Sequence, residues 1–529
     1  NHKYIPTVVS GNNVKALVPN ASSQKECFLT TTSNINTINQ LTPVNQTGFF
    51  VDYNTTNADS AYLIVTHKSL QSSANDYKTY RQSIAGGSNH VIMADIDDLY
   101  DQFAYGNIKN ALAIKNFCRF LSDNLPVPPK YLLLIGKSIK GTMVRSSNSN
   151  WNDCKVPTLG NPSSDNSLTA GIHSSNSSTP FIPVGRISAN NDIDVTNYLN
   201  KVISHEYGLT QTPPEDWRKR VLHFSGGADA YQQQAFEVYL KTFGNIIKDT
   251  LYGAETFSFQ KNTTSPIQIV VSDSVRQLIE YGTSLITFFG HGSVTGFDQA
   301  IDNPNAYNNK DKYPLFIANS CYSGDIHLPG SASTSENFTL IDQKGSIGFI
   351  ASSSSGVVSA LYYFTQAMYQ SLAYETYYKG IGDALKNSSF KTSTLNNQLQ
   401  EITSLEMTLE GDPSVKLNAF QKPDYVIKNS YVSLDPFTYV DSIGISIRIR
   451  NNGRAIKDTF IVRTERYFPN GDSVTYFHKI KAPYNEDTLR FFILKDFENG
   501  IGLNNFKVKI DDFNEISELA ENNNSTTSN

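Results

Sequence analysis

The sequence predicts an α/β fold, a parallel sheet sandwiched between helices, followed by a small antiparallel β-sandwich. Two patterns carry this expectation. From about Ala61 to Leu417, short and nearly continuous apolar runs alternate with amphipathic helical stretches, as expected of strands covered on both faces. After Lys422-Pro423 the period changes to strict alternation, with Ile443, Ile445, Ile447 and Ile449 separated by small or charged residues, the mark of a strand with one wet face. At 529 residues the chain is too long for one hydrophobic core, so about three domains are expected.

Residues 1–57 are polar and Asn/Thr-rich, with short apolar pieces at Val14–Val18 and Gly48–Val51. They read as the end of a preceding β domain or as a linker. Asn1 follows no Met and no leader, which reads as a processed chain whose preceding part is missing. The expected strands of the second region, 58–420, are Tyr62–Thr66, His90–Ala94, Tyr131–Ile135, Arg220–Phe224, Leu285–Phe289, Leu315–Ala318 and Ile347–Ala351. Between them Ile108–Leu125, Tyr198–Tyr207, Tyr231–Leu251 and Ser274–Tyr281 repeat apolar residues at helical spacing. The region can be divided into two α/β subdomains, 58–210 and 211–420, with the working site outside the carboxyl ends of the strands. Residues 424–523 supply the sandwich, with a turn at Asn451-Asn452-Gly453, and 524–529 read as a disordered polar tail.

A net charge of −5 with 18% charged residues argues against a phosphate-binding surface, and no basic run interleaved with aromatics supports nucleic acid. No apolar stretch is long enough to span a bilayer. The four cysteines have no CxxC spacing, which argues against a thiolate zinc site. Cys118 reads as a small buried hydrophobe, while Cys27 and Cys154 could pair in an oxidising compartment.

Cys321 has a different setting. Ser284–Ser293 and Tyr313–Gly324 are each an apolar strand ending in a small-residue turn that bears a reactive side chain, His291 and Cys321. Adjacent parallel strands lie about 4.8 Å apart, so the two residues would project from one carboxyl edge. An imidazole there can take the thiol proton and activate the nucleophile. The amides of Gly292 and Cys321 would then face a developing oxyanion, where one good donor is worth roughly 3 kcal/mol. Asp229 is the nearest carboxylate that could orient His291, although its position also suits the N-cap of the following helix. His327 reads as a surface-loop histidine. Asp298, Asp302 and Asp311 read as solvated loop residues, with structural calcium on oxygen ligands as the alternative. Ser352–Gly356 can line a specificity pocket, and Trp151 and Trp217 read as packing residues.

These motifs resemble the gingipain family of cysteine peptidases (family C25, of caspase-like fold). The resemblance rests on Gly290-His291-Gly292-Ser293 and Asn319-Ser320-Cys321-Tyr322-Ser323-Gly324. It extends to Val156-Pro157-Thr158, Ser164-Asp165-Asn166, Phe181–Ile187, Gly345–Ser352 and Leu409–Ser414, and so covers about residues 58–420. Within the family the chain is most similar to the PorU-type sortases of the type IX secretion system, and its C-terminal sandwich resembles a CARDB-type, immunoglobulin-like module. The resemblance implies a Cys321–His291 dyad that needs no cofactor. It also implies action at the bacterial cell surface, beside the outer-membrane components of that system. The substrates would be cargo proteins bearing C-terminal sorting signals, with a surface glycolipid as acceptor. A secreted endopeptidase and a non-catalytic surface scaffold are the alternatives. The sequence departs from the family where Ser225-Gly226-Gly227 replaces an acidic residue that orients the histidine, and where Gly136-Lys137 replaces Gly-Asp.

Overall fold

Ten strands form one mixed sheet in the computed structural model, which describes all residues except 1–2, 21, 42, 54–59, 250, 268–272, 331, 396, 419, 436–440 and 529. The chain divides into two compact units, Asn1–Phe50 and Val51–Asn529. The first carries an antiparallel hairpin of β1 (Thr7–Ser10) and β2 (Asn13–Ala16), turned by Gly11 at φ +62°. Among its described residues no apolar side chain is buried. The expected boundary at 57/58 lies outside the described residues.

The second unit opens with β3 (Tyr62–Thr66), β4 (Val91–Asp95), β5 (Tyr131–Ile135), β6 (Val184–Ile187), β7 (Arg220–Ser225), β8 (Glu255–Gln260) and β9 (Leu285–Phe289). A two-residue ribbon follows, β10 (Gly292–Ser293) with β11 (Gly296–Phe297), then β12 (Leu315–Asn319), β13 (Gly348–Ser352) and β14 (Met407–Gly411). The sheet order is β4-β3-β5-β6-β14-β13-β12-β9-β7-β8. Every pairing is parallel except that of β13 with β14. Two five-stranded parallel blocks therefore run in opposite senses and meet at one antiparallel seam. The division at 210/211 is crossed by β14, which comes from the end of the region yet pairs with β6.

The seven strands expected from apolar runs are present to within a residue. Alternate side chains sort to the two faces, as the two-residue period requires. Ile64, Leu133, Leu285, Leu315, Ile350 and Leu409 belong to one core that spans both blocks. The opposite face holds two separate cores, one around Leu63, Val65 and Leu134 and one around Phe224, Phe288, Phe316 and Phe349.

The seam is locked by an ion pair. Gly411 sits at φ +137°, and a β-carbon there would come 2.9 Å from the Tyr198 hydroxyl and 3.1 Å from the Gly348 Cα. Next to it Asp412 accepts from Tyr77 Oη at 2.6 Å and Arg81 Nε at 2.8 Å, and Arg81 also donates to Glu206 at 2.8 Å. Burial works to raise the Asp412 pKa, but the Arg81 guanidinium and the donated hydrogen bonds outweigh it and hold it below the usual range.

The C-terminal region is an immunoglobulin-like pair of antiparallel sheets. One contains β15 (Tyr425–Val426), β16 (Val432–Asp435) and β17 (Ser442–Asn451), and the other begins with β18 (Thr459–Tyr467) and β19 (Ser473–Lys481). β20 (Glu486–Leu494) joins β17; β21 (Asn505–Lys509) and β22 (Ser525–Ser528) extend the second sheet. Ile445, Ile447, Phe460, Val462 and Val508 form its core. The expectation of a disordered tail is corrected here. Ser525–Ser528 pairs with Phe506–Lys509, because an edge strand is held by backbone hydrogen bonds and needs no apolar side chains of its own. All four cysteines are free thiols, so the pairing of Cys27 with Cys154 that the sequence left open is not made.

Two outcomes test this architecture. Asp412→Asn removes the buried carboxylate and leaves Arg81 with Glu206 as its remaining ion partner, and its expected cost is about 1–3 kcal/mol, read from the urea midpoint. His223 on β7 is buried against Tyr369 Oη at 2.8 Å, and burial pushes its pKa down to about 3. The unfolded histidine takes a proton below pH 6.5 and the folded one does not, so its contribution to stability is lost as pH falls. His223→Gln should therefore cost most at pH 7, and the gap to the parent protein should narrow as pH falls towards 4.

Candidate active site

β9 and β12 run side by side in parallel with Phe289 opposite Asn319. His291 and Cys321 each lie two residues beyond these partners, at the same carboxyl edge of the second block. The two chains remain together past the ladder. Gly290 N donates to Asn319 O at 3.2 Å, and a β-carbon on Gly292 would come 2.6 Å from Ser320 Oγ. His291 is exposed and Cys321 half-buried. The thiol Sγ lies 3.8 Å from Gly356 O and 4.0 Å from Ser355 Oγ, so the Ser352–Gly356 segment does stand against it. Behind the cysteine, Tyr322 adopts φ +58° and its amide donates to Ser354 O at 2.8 Å. Gly324 is required, since a β-carbon would come 2.5 Å from Ala351 O.

The histidine side differs from the sequence expectation. Asp229 is exposed and serves as N-cap of the helix Ala230–Lys248, accepting from Gln232 N at 2.9 Å. The group that meets the imidazole is Gln232, whose Oε1 lies 2.8 Å from His291 Nε2. Asp298, expected in solvent, is buried. It accepts from Gly227 N at 2.7 Å and Lys261 Nζ at 3.3 Å, and its own amide donates to His291 O at 3.0 Å. Its Oδ1 lies 2.1 Å from where a β-carbon on Gly226 would be, and 2.7 Å from one on Gly290. The Gly226-Gly227 pair makes room for a carboxylate that arrives from the far side of the histidine loop. Asp302 accepts from Phe297 N at 2.9 Å and Asp311 from Ser204 Oγ at 2.6 Å. Among the described residues no three His, Cys, Asp or Glu side chains converge on a metal-sized site.

The model of peptidase family C25 matches residues 55–418. The chain belongs to peptidase family C25. No curated protein matches its sequence. Among solved structures it is similar to the Arg-specific cysteine proteinase gingipain R (RgpB), at 15% identity and a TM-score of 0.54 over 90% of this chain and 98% of that one. It is similar also to the complex of the pro- and mature domains of RgpB from Porphyromonas gingivalis, at 14% identity and 0.54, over 88% and 98%. Dimeric latent PorU from the same organism matches at 11% identity and 0.35, over 85% of this chain and 41% of that one. The two gingipain structures establish that the fold is shared.

The amide of Cys321, expected to face an oxyanion, donates to no carbonyl among the described residues. Gly292, the other expected donor, opens the β10–β11 ribbon against Ser320. His327 is not the surface histidine expected. It is fully buried, its Nδ1 2.5 Å from Ser138 Oγ, and burial pushes its pKa down to about 3. Lys137, at the position singled out in the sequence as a departure from the resembled motif, is buried and forms an ion pair with Glu336 of the helix Thr334–Leu340. Glu406, missed in the sequence, accepts from Ser352 Oγ at 3.4 Å, and burial raises its pKa to about 7.

Gly226→Ala drives a methyl group into the Asp298 carboxylate and is expected to lose about 1–3 kcal/mol of stability in urea unfolding. Gly141, with nothing within 4 Å of its would-be β-carbon, is the matched control, and Gly141→Ala should be nearly neutral.

Proposed function

We propose that Cys321 and His291 form the dyad of a cell-surface cysteine peptidase that cleaves C-terminal sorting signals of exported cargo. The observation that carries this reading is the pair of adjacent parallel strand ends, in register, with Gly292 packed on Ser320 and the Ser355 hydroxyl and Gly356 carbonyl against the thiol. The imidazole takes the thiol proton, and the thiolate attacks the scissile carbonyl carbon. The C–N bond breaks, the leaving amine receives the proton from the imidazolium, and a thioester remains on Cys321. Water then releases an acid, or an amine on a surface glycolipid releases an amide and completes a transfer. This chemistry needs no metal or cofactor. The sequence resemblance to sortases and the immunoglobulin-like module on the same chain support cargo sorting beside outer-membrane secretion components. No described helix is long and apolar enough to cross a membrane.

The scaffold reading draws on one observation, the amide rather than carboxylate at His291. A peptidyl acyloxymethyl ketone separates the two. Stoichiometric modification of Cys321, abolished in Cys321→Ala and strongly slowed in His291→Ala, is expected of the enzyme. Modification indifferent to His291→Ala would overturn it. With a cargo peptide and an added amine, the mass of the product then distinguishes transfer from hydrolysis.

A further inference from the structure

We infer that Gln232 is the positioning residue of His291, fixing the imidazole as the Nε2–H tautomer and leaving Nδ1 as its basic nitrogen. The inference rests on the dyad reading and adds how that dyad is held without an orienting carboxylate.

The assignment follows from which groups can only donate. Gln232 Oε1 lies 3.0 Å from Ala228 N and 2.8 Å from His291 Nε2. A backbone N–H has no acceptor role, so the side-chain atom that faces Ala228 must be the amide oxygen. That same oxygen faces Nε2, which must therefore carry a proton. A neutral imidazole has one N–H, and so Nδ1 carries the lone pair. Flipping the amide would set its NH2 group against the Ala228 N–H and lose that bond.

Gln232 is itself held in place. It is the third residue of the helix Ala230–Lys248, and its amide donates to the N-cap Asp229 at 2.9 Å. The turn before that helix is pinned at Gly227 N by the Asp298 carboxylate, and Asp298 N holds His291 O. The backbone and the ring of the histidine are thus both referred to one turn. One turn further along the same helix, Phe236 meets the ring in a T-shaped contact, with centroids 6.4 Å apart. The nearby charges are Asp298, paired with Lys261, and the exposed Asp229.

An amide oxygen selects the tautomer that a carboxylate would select, but it brings no negative charge to stabilise an imidazolium. The test is 15N NMR of the imidazole in the full chain, together with the rate of Cys321 modification by the ketone probe. The parent protein should show a pyrrole-type Nε2 and a pyridine-type Nδ1. Gln232→Ala should give a mixture of tautomers and slow modification at least about tenfold. Gln232→Glu, whose carboxylate oxygen also accepts from Nε2–H, should restore the Nε2–H tautomer lost in Gln232→Ala. A pyridine-type Nε2 in the parent, or a tautomer unchanged in Gln232→Ala, would overturn the inference. The two readings fail separately. A parent Cys321 that resists the probe, with a tautomer that still depends on Gln232, removes the dyad and keeps the positioning. A labelled Cys321 indifferent to Gln232→Ala does the reverse.

Discussion

Two parallel blocks of opposite sense can share a sheet only through an antiparallel pair, and the pairing of β13 with β14 is that pair. Its closeness is set by glycine. Gly348 stands opposite Gly411, and any β-carbon on Gly411 would crowd both the facing backbone and Tyr198. The Arg81–Asp412 pair then closes the end of the seam from inside the core. Because β13 and β14 run in opposite directions, the start of β14 lies beside the end of β13, with Met407 opposite Ser352. The seam therefore delivers Glu406 and the Ser352–Gly356 segment to the carboxyl edge where Cys321 stands. The position of the thiol's neighbours is a consequence of strand polarity.

The electrostatics of that edge follow from where carboxylates sit. At the histidine side chain there is an amide, and the one buried carboxylate nearby, Asp298, lies under the loop and is engaged by Gly227 N–H and Lys261. A carboxylate placed there constrains the backbone of the loop while its charge is neutralised by the lysine. One carboxylate can supply orientation and charge stabilisation together in a triad; here ring orientation and backbone placement fall to two residues, and neither brings charge to the ring. Orientation comes from Gln232, and backbone placement from Asp298. Among the described residues no carboxylate is bonded to the imidazole, so in the proposed dyad the Cys321 thiolate would be the counter-charge of an imidazolium.

How far the fold was legible depends on what each strand buries. β3, β5 and β9 announce themselves because every residue is apolar or β-branched and all are buried. β6 and β14 were not expected as strands, since Arg186 and Glu410 interrupt their apolar runs. Both side chains are buried in the structure, Arg186 bidentate to Asp165 and Glu410 accepting from Ser188 N. A buried charge paired across 21 residues of sequence leaves no periodic signal. The same holds at the site. His291 and Cys321 were legible because each ends an apolar strand among small residues. Asp298 and Gln232 were not, because their importance lies in long-range register. The local cues were the unusual Gly226-Gly227 pair and the Asp-x-x-Gln spacing of Asp229 and Gln232, a helix-start pattern.

The sandwich belongs to this same chain of constraints. Lys219 is fully buried, and its Nζ donates to Gly453 O at 2.9 Å and Tyr484 O at 2.5 Å, both in turns of the sandwich. Arg450 reaches Glu255 at 3.0 Å and Ala455 N donates to Leu251 O at 2.8 Å. Burial lowers the Lys219 pKa well below the ordinary lysine value, so the hydrogen bonds to those carbonyls are what offset its desolvation. Separation of the sandwich would remove them. Lys219 directly precedes β7, and β7 ends at Ser225, where the Gly226-Gly227 turn behind His291 begins. At about 3.3 Å per residue, a single strand thus joins the sandwich contact to the turn that holds the histidine. This continuity explains why residues Val51–Asn529 form one compact unit: the module is built onto the strand that carries the site, and its turns complete the burial of that strand's first neighbour.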